Sequence, residues 1–158
     1  MMTVVNAPIA TAAGSSDALQ LHNHLCFALY SASLKMTKVY KPFLQGLGLT
    51  YPQYLAMIVL WEQDGNTVGD ISARLLTDPG SLTPLLQRLE AEGLLRRTRS
   101  KEDERVVRLY LMGQGKALRQ KAQDIPQNIL VASGISLGQL QSMQQDLNNL
   151  RGNLHDSL

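Results

Sequence analysis

The sequence predicts a mainly α-helical domain with one small antiparallel β-hairpin about two thirds of the way along the chain. Three observations carry that prediction. Apolar residues recur at steps of three and four near both ends, at Leu21, Leu25, Ala28, Leu29, Ala32 and Met36 and again at Leu140, Met143, Leu147, Leu150 and Leu154, the spacing that puts side chains on one helical face. A middle segment repeats the pattern with Leu82, Leu85, Leu86 and Leu89. Directly after Gly93, the β-like segments 94–99 and 105–111 flank the charged run Ser100-Lys-Glu-Asp-Glu104, which reads as a hairpin with a polar loop longer than a tight turn.

Each element follows from local chemistry. The first helix runs from residue 17 to about 46, where Gly46 and Gly48 end it. Pro52 opens a second helix through Trp61, and the nearly unbroken apolar run over 54–61 means burial on most sides. Asp64-Gly65 is the turn that follows. Thr67-Val-Gly-Asp70 has the Ser/Thr-x-x-acid form of a helix start, and the short helix behind it reaches about Leu76. Asp78 or Ser81 caps the next helix, residues 82–92, in which Pro84 fits only near the start or with a bend, because it lacks an N–H and crowds the preceding turn. Gly93 stops it. The leucine stripe packs inward and leaves Ser81, Thr83, Gln87 and Arg88 on the other face, free to read a partner. After Gly113 and Gly115 the pattern is helical again, broken near Asp124-Ile-Pro126, and the seam from Leu140 to Leu154 wants a partner helix. Helix, short helix, reading helix, hairpin is the order of a winged helix-turn-helix, and apolar stripes at both ends of so small a domain predict a homodimer.

Composition narrows the class. With 158 residues, 44% hydrophobic and 18% charged, the chain is one domain's worth and can bury a core. Its single cysteine, Cys26, excludes an internal disulfide and any cysteine-based zinc finger, and suits a reducing compartment, the cytoplasm. Residues 1–16 carry no Lys or Arg and are interrupted by Asn6 and Pro8, so they read as a flexible tail and not as a signal peptide. The longest apolar run falls far short of the roughly 20 residues that cross a bilayer, so no membrane partner is expected. The net charge is only +2, but residues 93–108 hold six cations (Arg96, Arg97, Arg99, Lys101, Arg105, Arg108) against three carboxylates, a local +3 that leaves −1 for the rest. Such a stretch on a near-neutral protein is the footprint of a phosphate-contacting edge.

No Gly-rich phosphate loop, Ser-His-Asp set or paired catalytic carboxylates stands out, so the chain does not read as an enzyme. His22 and Cys26 are four residues apart, but no second thiol or carboxylate cluster completes a metal site, and no cofactor is expected. What remains is a lone thiol with phenols nearby in sequence, Tyr30, Tyr40 and Tyr51, on the same chain as a DNA-reading pattern. A free cysteine behaves by default as a small buried hydrophobe. A peroxide, however, is attacked by thiolate, and an ordinary thiol near pKa 8.5 is only slightly ionised at neutral pH. Tyrosine hydroxyls that donate hydrogen bonds to sulfur favour the thiolate inside an apolar pocket that also suits an organic tail.

Residues 67–111, above all Leu82-Thr-Pro-Leu-Leu-Gln-Arg-Leu-Glu-Ala-Glu-Gly-Leu-Leu-Arg96 with Asp103-Glu-Arg105, resemble the multiple antibiotic resistance regulator (MarR) family. Within it, Leu25-Cys-Phe-Ala-Leu-Tyr30, Tyr40-Lys-Pro42 and Thr50-Tyr-Pro-Gln-Tyr-Leu55 resemble the organic hydroperoxide resistance regulators, and the similarity spans roughly residues 20–155. The resemblance implies a single MarR-type domain over 17–158, with the winged helix-turn-helix at about 52–112 and dimerisation helices at about 17–46 and 113–156. It implies a repressor that releases a pseudo-palindromic double-stranded DNA operator when Cys26 is oxidised by an organic hydroperoxide, with Tyr40 and Tyr51 supplied by the opposite subunit and Tyr30 lining the pocket.

For DNA it implies that Ser81, Thr83, Gln87 and Arg88 face a major groove while the hairpin tip lies along the minor groove. Arg105 would insert there, oriented by Asp103. Because residues 117–138 contain no cysteine, the chain resembles the one-cysteine type, in which the oxidised sulfur either condenses with a low-molecular-weight thiol to a mixed disulfide or proceeds to sulfinic and sulfonic acid, while a bridge between the two Cys26 of a dimer would need Cα atoms within about 7 Å. Two departures are visible: Met112 stands where the family often has a capping Thr, and Pro79 where a small polar residue is common. The alternatives are a MarR-type repressor released by a small phenolic or aromatic ligand and, from another class, a thiol peroxidase, for which the chain offers no resolving cysteine.

Overall fold

A computed structural model describes residues 17–158, so the expected tail over 1–16 lies outside the described residues. Two 3-10 turns (Asp17–Leu19, Leu21–Asn23) precede α1 (Leu25–Gln45), followed by α2 (Tyr51–Glu62), α3 (Val68–Leu75), α4 (Pro79–Ala91), β1 (Leu95–Arg99), β2 (Val107–Leu111), α5 (Gly113–Ala122), α6 (Ile125–Ser133) and α7 (Leu137–Asp156). The mainly helical class and the antiparallel hairpin agree with the sequence reading. The chain divides into two units within α1, after Lys38.

In the first unit the helix begins eight residues later than its apolar spacing suggests, because His24 is extended (φ −91, ψ 118) and Leu21 belongs to a separate turn. His22 and Cys26 therefore do not share a helix. In this unit Leu25, Phe27, Tyr30, Leu34 and Met36 all stand exposed along α1.

The second unit is built on α2. Thr50 caps it through a reciprocal capping box with Gln53, and Ala56, Met57, Val59 and Leu60 are buried along it. Thr67 and Asp70 form the expected box at the start of α3. The turn into α4 passes through Leu76 at φ 55, a left-handed conformation unusual for leucine. Ser72 holds that turn from both sides: its carbonyl accepts the Thr77 N–H at 3.1 Å and its hydroxyl donates to the Thr77 carbonyl at 2.6 Å.

Helix α4 starts three residues earlier than its apolar stripe indicates, since Asp78 is the cap and Pro79 the first residue. Pro84 is thus inside the helix and takes one donor from its ladder. At the other end Gly93 (φ 76) closes a Schellman turn, with the Leu94 N–H on the Leu89 carbonyl at 3.1 Å and the Gly93 N–H on the Glu90 carbonyl at 2.9 Å. In the hairpin Leu95 pairs with Leu111 and Arg99 with Val107. The second strand begins at Val107 and not at Arg105, because residues 100–106 fold into a loop closed by Ser100 N–H to Val106 O at 2.8 Å and Val106 N–H to Asp103 O at 3.0 Å. The segment at 64–67, a turn at Asp64 and Gly65 that leads into a single bridge residue at Thr67, lies along the outer edge of β2, through the bridge between Thr67 and Arg108 and Gly65 N–H to Leu109 O at 2.9 Å.

Helix α5 enters beneath the base of this wing. Its uncapped start at Met112 fits the departure noted above. A Cβ on Gly115 would lie 2.1 Å from the Leu94 carbonyl oxygen, and the Gly115 carbonyl accepts the Trp61 indole N–H at 2.8 Å. Gly115→Ala should therefore destabilise the protein by about 1–3 kcal/mol, the cost typical of overpacking. Gly113→Ala meets nothing within 4 Å and should be neutral or slightly stabilising. Urea melts of both variants check this; equal midpoints would refute the close approach.

Candidate nucleic-acid interface and thiol–phenol site

The reading helix is buried along Leu82, Leu86 and Leu89, which forces the remaining face outward. Gln87, Arg88 and Ser81 are exposed and Thr83 is half-buried. The two hydroxyls are engaged within the helix: Ser81 Oγ donates to Asp78 Oδ2 at 2.6 Å, and Thr83 Oγ1 to the Pro79 carbonyl at 2.9 Å. The Ser81 hydroxyl and then its N–H hold the Asp78 carboxyl below the ordinary carboxylate range.

The wing is tied to this helix by Glu90. Its carboxylate accepts the Arg97 backbone N–H at 3.0 Å and the Arg97 Nε–H at 2.8 Å. The same two bonds, the backbone one first, lower the Glu90 pKa. A folded-state value below the unfolded one means that the clamp is intact above the ordinary carboxylate range and is lost as pH falls through the lowered value. At the wing tip the Arg105 side chain is 96% exposed, with its Nε 3.9 Å from Asp103 Oδ1, and Asp103 Oδ1 accepts the Arg105 N–H at 3.0 Å. The carboxylate therefore shapes the loop more closely than it grips the guanidinium. On the sheet's outer face Arg96 lies over the Tyr110 ring at 5.5 Å.

In the first unit Cys26 is exposed at the start of α1, and Tyr30, one helical turn on, is also exposed. The second unit brings Tyr40 and Tyr51 together, with ring centroids 5.0 Å apart. It adds a phenol that the sequence reading missed: Tyr54 is 5.9 Å from Tyr40 and 6.3 Å from Trp61. Its position three residues after Tyr51, on the same face of α2, was the available signal. Burial raises all three phenol pKa values, and the neighbouring phenols raise Tyr40 and Tyr54 further. The three hydroxyls are thus kept protonated and able to donate. Beside them opens a cavity of about 520 Å³ lined by Tyr51, Pro52 and Leu55 of α2 and by Leu82 and Leu85 of α4.

Fold and site together define a class, the winged helix-turn-helix transcriptional regulators. The family model described as transcriptional regulator SarA/Rot matches residues 38–125. The chain is 47% identical over 139 residues to the organic hydroperoxide resistance transcriptional regulator of Bacillus subtilis, spanning 88% of this chain and 95% of that one. It is 39% identical over 154 residues to the regulator TtmR of Methylorubrum extorquens, spanning 96% and 79%. Among solved structures, reduced AbfR bound to DNA superposes with a TM-score of 0.73 at 28% identity, over 88% of this chain and 97% of the other. Overoxidised AbfR bound to DNA gives 0.69, over 87% and 97%, also at 28%. The chain belongs to the MarR-type winged-helix transcriptional regulators, in their organic hydroperoxide resistance branch, with one cysteine.

Raised phenols have a solution signature. Tyr40, Tyr51 and Tyr54 should ionise above pH 10.0, the ordinary value, and each Tyr→Phe change should remove one late phenolate from an absorbance titration. Because the unfolded chain releases these protons first, the stability they reflect is complete below that value and is lost as pH rises through the higher folded-state values. Early ionisation of all three would show that the rings are solvated.

Proposed function

We propose that the protein is a homodimeric, cytoplasmic repressor that binds a pseudo-palindromic operator and releases it when an organic hydroperoxide oxidises Cys26. The observation that carries this is the pair of protonated phenols, Tyr40 and Tyr51 at 5.0 Å, in a chain whose one thiol is exposed and whose relative is an organic hydroperoxide resistance regulator. In the dimer these phenols serve the partner's Cys26, and Tyr30 flanks the same pocket. Exposed Leu34, Met36 and Val39 on α1, and Leu137, Met143, Leu147 and Leu154 on α7, supply apolar surface for that dimer. Among the described residues no helix is long and apolar enough to cross a membrane.

The chemistry balances in two steps. The Cys26 thiolate attacks the hydroxyl-bearing oxygen of the hydroperoxide; an S–O bond forms, the O–O bond breaks, and the alkoxide leaves and takes a proton as the alcohol. Sulfur, oxidised by two electrons, is now a sulfenic acid. A low-molecular-weight thiol then attacks it, forming an S–S bond and releasing water. Both products replace a small anion that accepted phenol hydrogen bonds with a bulkier neutral group. Tyr51 shares the cavity wall with Leu82 and Leu85 of the reading helix, so a displaced Tyr51 is felt where DNA is read. Ser81, Thr83, Gln87 and Arg88 face the major groove, and Arg105, shaped by Asp103, enters the minor groove; DNA-bound AbfR supports this docking.

Two experiments test the switch. Cys26→Ser should bind a duplex selected from a random pool about as well as the parent and stay bound when cumene hydroperoxide is added. Release of the Ser variant would sink the redox reading, and equal release of both proteins by salicylate-like compounds would put the ligand-regulated alternative in its place. Intact-mass spectrometry addresses the second step: peroxide plus a small thiol should give a thiol adduct on monomer-mass protein that dithiothreitol removes. A covalent dimer as the main non-reduced product would refute it.

A further inference from the structure

Asp64 makes a contact that the proposed function leaves unused. It ends the turn after α2, and its Oδ1 accepts two backbone amides, its neighbour Gly65 at 3.1 Å and, across the fold, Leu111 at the end of β2 at 2.9 Å. The seam it closes also contains Gly65 N–H to Leu109 O and Leu109 N–H to Asn66 O, both 2.9 Å, and Arg108 Nη1 to Gly65 O at 3.1 Å. The first two join backbone to backbone and any sequence could make them. Asp64 supplies the carboxylate. Gly65 (φ +78) completes the join, since a Cβ there would meet the Tyr110 ring at 3.2 Å.

A two-stranded hairpin is marginal alone, and its aim depends on how its base is held. Arg105 sits in the tip loop beyond β2, whose run from Leu111 to Val107 spans about 13 Å at strand rise, so about 5° of slack at the base moves the tip by at least about 1 Å. A contact misplaced by that much is largely lost. We propose that Asp64 is a positioning residue for DNA binding: its bond to the Leu111 amide fixes the wing to the helix-turn-helix and so registers Arg105 with the reading helix. This rests on the reading that Arg105 enters DNA.

The test is a double-mutant cycle on the reduced full-length protein, using the selected duplex at fixed salt. Asp64→Ala should weaken binding about tenfold, the size of one lost charge-assisted bond. Arg105→Ala should weaken the parent similarly and add little in the Asp64→Ala background. Asp64→Asn keeps an oxygen that can accept the amide and should bind close to the parent, which also guards against misfolding of the Ala variant. Fully additive losses, or an Asn variant as weak as the Ala one, would overturn the role of Asp64 while leaving the wing contact standing. A parent indifferent to Arg105→Ala would overturn the wing contact and the role of Asp64 with it.

Discussion

The reading helix can be held from one side only, and the rest of the second unit is arranged around that constraint. Leu82, Leu86 and Leu89 are buried in one stripe, against a core that includes Met57, Leu60, Ile71, Leu95 and Leu109. Because an α-helix repeats every 3.6 residues, committing this stripe fixes the direction of Gln87 and Arg88 to within a rotamer. The ends are then pinned so that the helix cannot slide: Asp78 caps the start, and the Schellman turn at Gly93 sends the chain straight into the wing. Glu90 adds a bidentate grip on Arg97. The grip is partly exposed and adds little stability, but it ties α4 to the wing, as the proposed docking of both elements on one duplex requires.

In the proposed function, helix α2 is the member shared by sensing and reading. Its first residue, Tyr51, stands with Tyr40, and near its other end Trp61 donates to Gly115 beneath the wing base. Between them the helix is buried on most sides. Closely packed interiors do not deform smoothly; they shift as bodies or not at all. A push on Tyr51 therefore has two routes, across the cavity wall to Leu82 and Leu85 and along α2 to the floor of the wing. Either route needs a change at Tyr51 that favours one arrangement over the other, which in the proposed function is a sulfur that gains oxygen or a second thiol.

Much of this was legible in the sequence, because the signals were local. The Thr67-Asp70 box, the Gly93 stop, the leucine stripe and the charged loop between the two strands are each written within a few residues. The misplaced starts of α1 and α4 share one cause: apolar spacing marks where a helix is buried, not where it begins. Leu21 keeps the spacing but sits outside the helix, and Pro79, Gly80 and Ser81 belong to α4 without adding to its stripe. What could not be read is non-local. Nothing near Asp64 in sequence points to Leu111, nothing near Gly115 points to Leu94, and Tyr54 looks like one more core residue until Tyr40 is seen beside it. The proposed meeting of Cys26 with Tyr40 and Tyr51 is non-local in the same sense, since it needs a second copy of the chain.

The charge distribution explains why positioning carries so much weight in this protein. A strongly basic regulator gains affinity from every phosphate it neutralises, wherever its side chains fall. This chain has a net charge of +2, with six of its fifteen cations in residues 93–108 and the other nine outweighed by ten carboxylates, so diffuse attraction to DNA is weak. In the proposed docking its grip comes from a small number of contacts made together: a reading helix in one groove and a single guanidinium in the next. Contacts of that kind cooperate only if their spacing is fixed before DNA arrives, because ordering them on arrival costs free energy that few contacts can offset. On that proposal the side-chain clamps at Glu90 and Asp64, on opposite edges of the wing, are what such economy requires. The same dependence makes the grip easy to break, since a small rotation of one element relative to the other loses both contacts at once.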